Sequence, residues 1–110
     1  MASFTDKSWD GSASRWPDTA SYCQSCLIDL NPSGTPADKK TQDNCKLPIA
    51  EPDGTINTNA LSSAAGALAG ARGGLKDVPA DAKAKAARAL KRLYVQAKMP
   101  LTDALKRMGQ

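Results

Sequence analysis

The chain changes character at Asn57, and that change limits what it can fold into. Up to that point turn-forming residues separate short apolar runs. Beyond it, apolar residues recur every three or four positions on an alanine-rich background, the pattern of packed helices. Asn57 or Asn59 is placed to cap a helix over 59–72 that carries Leu61, Ala64, Ala65, Leu68 and Ala69 on one face, with Gly73-Gly74 as its C-terminal cap. Pro79 opens the longest expected helix, 79–98, whose apolar stripe is Ala82, Ala86, Leu90, Leu93 and Ala97, joined by Tyr94. Pro100 ends it, and Thr102 or Asp103 caps a last helix over 102–108 that turns Leu101, Leu105 and Met108 inward. Leu61, Leu68, Leu90, Leu93 and Tyr94 are expected to form one cluster in a helical hairpin.

Ahead of Asn57, residues 1–17 read as an irregular arm, with turn chemistry at Trp9-Asp10-Gly11-Ser12. Four of the five aromatic residues (Phe4, Trp9, Trp16, Tyr22) fall in the first 22 positions, so Trp9 and Trp16 either cover a small core or dock on a partner. Asp18 or Thr19 caps a helix over 18–27 that puts Tyr22, Cys23, Cys26 and Leu27 on one side. From 31 to 44 the composition is that of a long mobile surface loop. A small hairpin then turns at Asp53-Gly54, with Pro48 confining it to an edge. The expected fold is mainly α, a small helical domain over 18–110 with a minor β-hairpin, behind the 1–17 arm.

Charge divides the chain at nearly the same place. Residues 1–60 hold five Lys/Arg and eight Asp/Glu, a net of −3, whereas residues 61–110 hold ten and three, a net of +7. A basic C-terminal half suits nucleic acid or an acidic protein surface, with Lys85, Arg88, Lys91 and Arg92 as the candidate face. The competing reading is a solvated helix, favoured by the lack of aromatic residues among these charges. No apolar run approaches the roughly 18 residues of a membrane span, and Met1 to Asp10 lack a signal-peptide core, so no membrane partner is expected.

Catalytic chemistry is poorly provided for. With no histidine, imidazole-based triads are excluded, and neither Ser-x-x-Lys nor Gly-x-Ser-x-Gly nor a phosphate-binding glycine loop occurs. Cys23, Cys26 and Cys45 leave three states open. They are free thiols in a thin core, or a Cys23–Cys45 or Cys26–Cys45 disulfide, or part of a metal site that Asp29 or Asp43 would have to complete. With zinc's preference for four Cys/His ligands unmet, no metal and no cofactor is expected.

Several runs nevertheless occur in a telling order: Trp9-Asp10-Gly11-Ser12-Ala13-Ser14-Arg15, Cys26-Leu27-Ile28-Asp29, Leu47-Pro48-Ile49-Ala50-Glu51-Pro52-Asp53-Gly54, Asn57-Thr58-Asn59-Ala60-Leu61, Ala69-Gly70-Ala71-Arg72-Gly73-Gly74 and Leu90-Lys91-Arg92-Leu93-Tyr94. Together, over about residues 7–98, they resemble an accessory domain of tailed bacteriophages, found attached to head-maturation (prohead) proteases and encoded as small proteins near capsid genes. The protease's catalytic histidine has no counterpart here, so the resemblance extends to the accessory part alone. It implies a phage or prophage origin and a role around head assembly or the virion. Since catalytic motifs are lacking, the role is expected to be non-enzymatic, in the host cytoplasm or the virion, with capsid or head-protease proteins as partners. Specificity is then expected in Trp9 and Trp16 of the arm and in Lys39 and Lys40 of the loop. The alternatives are a small DNA-binding protein and an inhibitor of a host enzyme.

Overall fold

The computed structural model describes residues 3–32, 34–70 and 78–107. The chain forms two compact units, 1–60 and 61–110. Among the described residues there are four α-helices: α1 (Thr19–Gln24), α2 (Thr58–Leu68), α3 (Ala80–Gln96) and α4 (Asp103–Arg107). Four strands among the same residues pair in two small sheets, so the fold is mixed α and β and the expectation of a mainly helical domain is corrected. β1 (Phe4–Thr5) runs parallel to β4 (Ile56–Asn57), and β2 (Cys26–Asp29) runs antiparallel to β3 (Cys45–Pro48).

The correction lies in the first unit. The expected 18–27 helix ends at Gln24, because the Cys-Leu-Ile-Asp run continues as β2 and finds β3 as its partner, with Ile28 opposite Lys46 and Asp29 opposite Cys45. The expected hairpin exists as a narrow bridge. Gly54 donates to Glu51 O (2.8 Å), Glu51 N to Thr55 O (2.7 Å) and Asn57 N to Ile49 O (2.9 Å). Its two arms then part to serve different sheets. The N-terminal segment supplies β1 and a 3-10 turn over Ala13–Arg15, and delivers Trp16 to the interior, 5% exposed. Cys23, Ile28, Cys45 and Ile49 are buried with it.

A disulfide joins Cys23 on α1 to Cys45 on β3, resolving the three alternatives for these cysteines, and Cys26 is a free, half-buried thiol. The bridge spans 22 positions. Reducing it should cost about 3 kcal/mol through the regained entropy of the open chain. In thermal scans with and without reductant the melting temperature is expected to fall by roughly 10–20 °C. An unchanged melting temperature would show the cross-link to be redundant.

In the second unit the helical periodicity is realised, and of the five residues expected in one buried cluster Leu61, Leu90 and Tyr94 are buried. Leu61, Ala64 and Ala65 of α2 and Ala86, Ala87, Leu90 and Tyr94 of α3 are buried, whereas Leu68 and Leu93 are only half-buried. The pairing evident here is α3 with α4, whose Leu105 is fully buried. Just past the end of α2, Gly70 lies in the left-handed region at φ 98°; the expected Gly73-Gly74 cap and Met108 lie outside the described residues. Among the described residues no helix is long and apolar enough to cross a membrane.

α3 closes with a Schellman motif: Met99 N donates to Tyr94 O (2.9 Å) and Lys98 N to Val95 O (3.1 Å). The position that motif reserves for a left-handed residue is filled by exposed Lys98 at φ 59° rather than by glycine. Lys98→Gly is therefore expected to stabilise by about 0.5–1 kcal/mol, since it removes the Cβ clash of that conformation. Denaturant titration would register this as a higher midpoint, where a glycine placed inside the helix would lower it.

Candidate binding surfaces

The first unit is organised by a chain of polar side chains that begins with Arg15. Its guanidinium lies over the rings of Trp9 (5.4 Å) and Trp16 (5.5 Å), donates to Asp10 O and forms an ion pair with Glu51. Glu51 also accepts from Asn57 Nδ2 (2.8 Å), a bond that, followed by the Arg15 pair, holds its carboxyl below the usual range. Asn57 is wholly buried. Its Nδ2 further donates to Lys7 O (3.1 Å), and its Oδ1 accepts from Asn59 N (2.8 Å) and Ala60 N (3.3 Å), the first free amides of α2. Of the two caps the sequence offers, Asn57 is the one used. Trp16 is fixed separately: its Nε1 donates to Ser25 Oγ (3.0 Å) and its ring meets Tyr22 edge-on at 5.2 Å.

Beside this network opens a cleft of about 350 Å³ lined by Ser14, Trp16, Asp18, Thr19, Tyr22 and Gln42. A second, of about 340 Å³, shares Asp18 and Thr19 and extends to Asp38 and Lys40. Asp18 caps α1 by accepting from Ser21 N (2.8 Å), which lowers its pKa. The Tyr22 hydroxyl is pushed up to about 12, chiefly by burial, and the neighbouring Cys26 thiol likewise. Both are protonated at neutral pH, so neither is poised as a nucleophile or base.

The 31–44 segment carries two 3-10 turns, Ala37–Lys39 and Gln42–Asn44, gathered around Asn31. Asn31 Oδ1 accepts from Thr41 N (2.8 Å) and Asn44 Nδ2 (3.3 Å), while its own Nδ2 reaches Asp29 Oδ1 (2.8 Å) and Cys45 Sγ (3.4 Å). Lys40 pairs with Asp29 at 2.7 Å. Burial raises the Asp29 pKa, but the bonds from Lys40 and Asn31 outweigh it and leave the carboxyl below its ordinary value.

The expected site residues thus separate. Trp16 is interior and Trp9 half-buried beneath Arg15. Lys39 projects from its turn into solvent, whereas Lys40 is half-buried. On α3, Lys85, Arg88 and Arg92 are exposed along one line, but Lys91 is half-buried and donates to Lys106 O (3.3 Å) on α4. Sequence reasoning passed over Arg15, Glu51 and Asn57 as a connected set, and Asn31 as the centre of a separate one; Asn57 alone had a local signal, its position as a cap. No family model, curated protein or solved structure matches the chain.

Proposed function

We propose that this chain is a non-enzymatic binding protein of a tailed-phage head, seated on the capsid or the head-protease assembly. The observation that carries this reading is the use made of the residues behind the phage resemblance. Arg15 from the first run, Glu51 from the Leu47–Gly54 run and Asn57 from the next all meet in one internal network. Side chains spent on holding a unit together are unavailable as acids, bases or nucleophiles, which favours a scaffold that presents a surface. With Trp16 interior, recognition falls on the exposed turn at Asp38 and Lys39 and on the cleft above Asp18 and Thr19.

Quantitative mass spectrometry of purified proheads and virions tests this. A fixed copy number per capsid is expected, strongly reduced when Asp38→Lys and Lys39→Glu reverse the charges of the turn. Absence of the protein from both particles would end the proposal.

The exposed line of Lys85, Arg88 and Arg92 supports a second reading, a contact with nucleic acid. Neutralising all three should leave particle incorporation unchanged under the first reading, because exposed rim charges contribute little. Under the second it should abolish DNA binding, and the wild-type affinity should fall with salt at a slope of about −0.9 per phosphate engaged.

A further inference from the structure

Three elements of the first unit bring chemically matched groups to one point. Cys23 comes from α1, Asp29 from β2 and Cys45 from β3, and their two sulfurs and a carboxylate oxygen all lie within 4.8 Å of one another. In the oxidised chain the two sulfurs are bonded to each other. We propose that opening this disulfide converts the cluster into a site for one thiophilic divalent cation of the zinc and cadmium class, so that cross-link and metal are alternative states of the same three residues.

The chemistry balances with a phosphine or dithiol as reductant. A phosphine takes oxygen from water and becomes its oxide, the water supplying two protons, or a dithiol gives up its two protons and closes to its own disulfide. Either way two electrons break the S–S bond and leave two thiols. The cation then displaces both thiol protons to solvent, forms two metal–sulfur bonds and takes the Asp29 carboxylate as third ligand. A fourth position stays open to water, a coordination number zinc accepts readily. Around such an ion the sulfurs stand about 3.8 Å apart, given metal–sulfur bonds of about 2.3 Å in a tetrahedral arrangement. Side-chain rotation after the bond opens supplies that separation.

The surroundings are those a metal-bound set of anions requires. Two thiolates and a carboxylate around a divalent ion leave one net negative charge, and the Lys40 ammonium, 2.7 Å from Asp29 Oδ2, balances it. Asn31 Nδ2 donates to Asp29 Oδ1 at 2.8 Å and to Cys45 Sγ at 3.4 Å, and Asn31 is itself held by Thr41 and Asn44. Ligands oriented by their own hydrogen-bond partners bind metal more tightly than loose ones. Cys26, the other half of the Cys-x-x-Cys spacing, is not part of the set; its thiol donates instead to Tyr22 O at 3.3 Å.

The full chain, reduced with a phosphine under anaerobic conditions, is titrated with cadmium while thiolate-to-metal absorption and native mass are recorded. One cadmium per reduced chain is expected and none on the oxidised chain. Cys26→Ser should bind as the wild type does, and Cys23→Ser and Cys45→Ser should lose the absorption. Asp29→Asn, whose fold can be checked with its disulfide closed, should bind at least tenfold more weakly once reduced, and Lys40→Met about tenfold more weakly. Cadmium should also restore the circular dichroism and melting temperature that reduction lowers. The proposal is overturned if the reduced chain takes up no cadmium, or if Cys26→Ser abolishes uptake. It is equally overturned if Asp29→Asn binds at full strength, or if a chain unfolded by reduction does not refold on adding the ion.

Discussion

Replacing Asn57 by aspartate is expected to destabilise the protein by about 3–5 kcal/mol, the range for an uncompensated buried charge. The substitution is chosen because two roles of Asn57 predict opposite signs. As a helix cap alone, aspartate is as good as asparagine, and its charge at the start of α2 would add about 0.3–1 kcal/mol of stability. Asn57 also donates from Nδ2 to Glu51 and to Lys7 O from a site with no exposure to solvent. Aspartate has no such donor, and it would set a second carboxylate against Glu51. The Arg15–Glu51 pair would then be drawn into the repulsion, loosening the contact of the N-terminal segment with the hairpin. Urea denaturation should therefore show a large drop in midpoint. A neutral or stabilising outcome would reduce Asn57 to a cap.

Leu90→Ala should cost about 2–5 kcal/mol, a fully buried leucine being truncated in a helix that has few large side chains to close the gap. Against a total stability of about 5–15 kcal/mol for a small domain, that is enough to unfold much of the second unit near physiological temperature. The same change at half-buried Leu93 removes less covered surface and should cost less than about 2 kcal/mol. Thermal unfolding of the two variants side by side checks the orientation of α3. Equal losses would mean that the helix packs on a different face from the one its burial describes.

What the sequence made legible was whatever is decided within a few residues. Asp18, Asn57 and Thr102 sit at the starts of α1, α2 and α4 and accept from Ser21 N, from Asn59 N and Ala60 N, and from Leu105 N. The turn at Gly54 follows from a glycine where the backbone goes left-handed, at φ 95°. The charge asymmetry was also informative, since the boundary between the two units falls within the uncharged stretch from Gly54 to Ala71, across which the balance changes sign. What stayed hidden depends on partners distant in the chain. Tyr22, Cys23, Cys26 and Leu27 satisfy a helical spacing as well as the helix-then-strand they adopt, and only pairing with β3 decides between the two. The parallel match of Phe4 with Ile56 has no local signature at all. Nor does a lone arginine announce that it will stack on two tryptophans and pair with a glutamate 36 positions away. For Trp16 the one sequence cue, the shortage of other large side chains to build a core, pointed to an interior ring, and it is interior.

The position of α2 bears on how this protein can be dissected. The boundary between the units falls after its third residue, Ala60, while the cap that starts the helix sits just before it. A fragment ending at Ala60 would retain Asn57 with almost no helix left to cap. One beginning at Leu61 would inherit eight helical residues stripped of their first turn, too short a segment to nucleate in water unaided. Fragments intended to isolate either half should therefore overlap across 57–68, each carrying its own copy of the whole helix together with its asparagine.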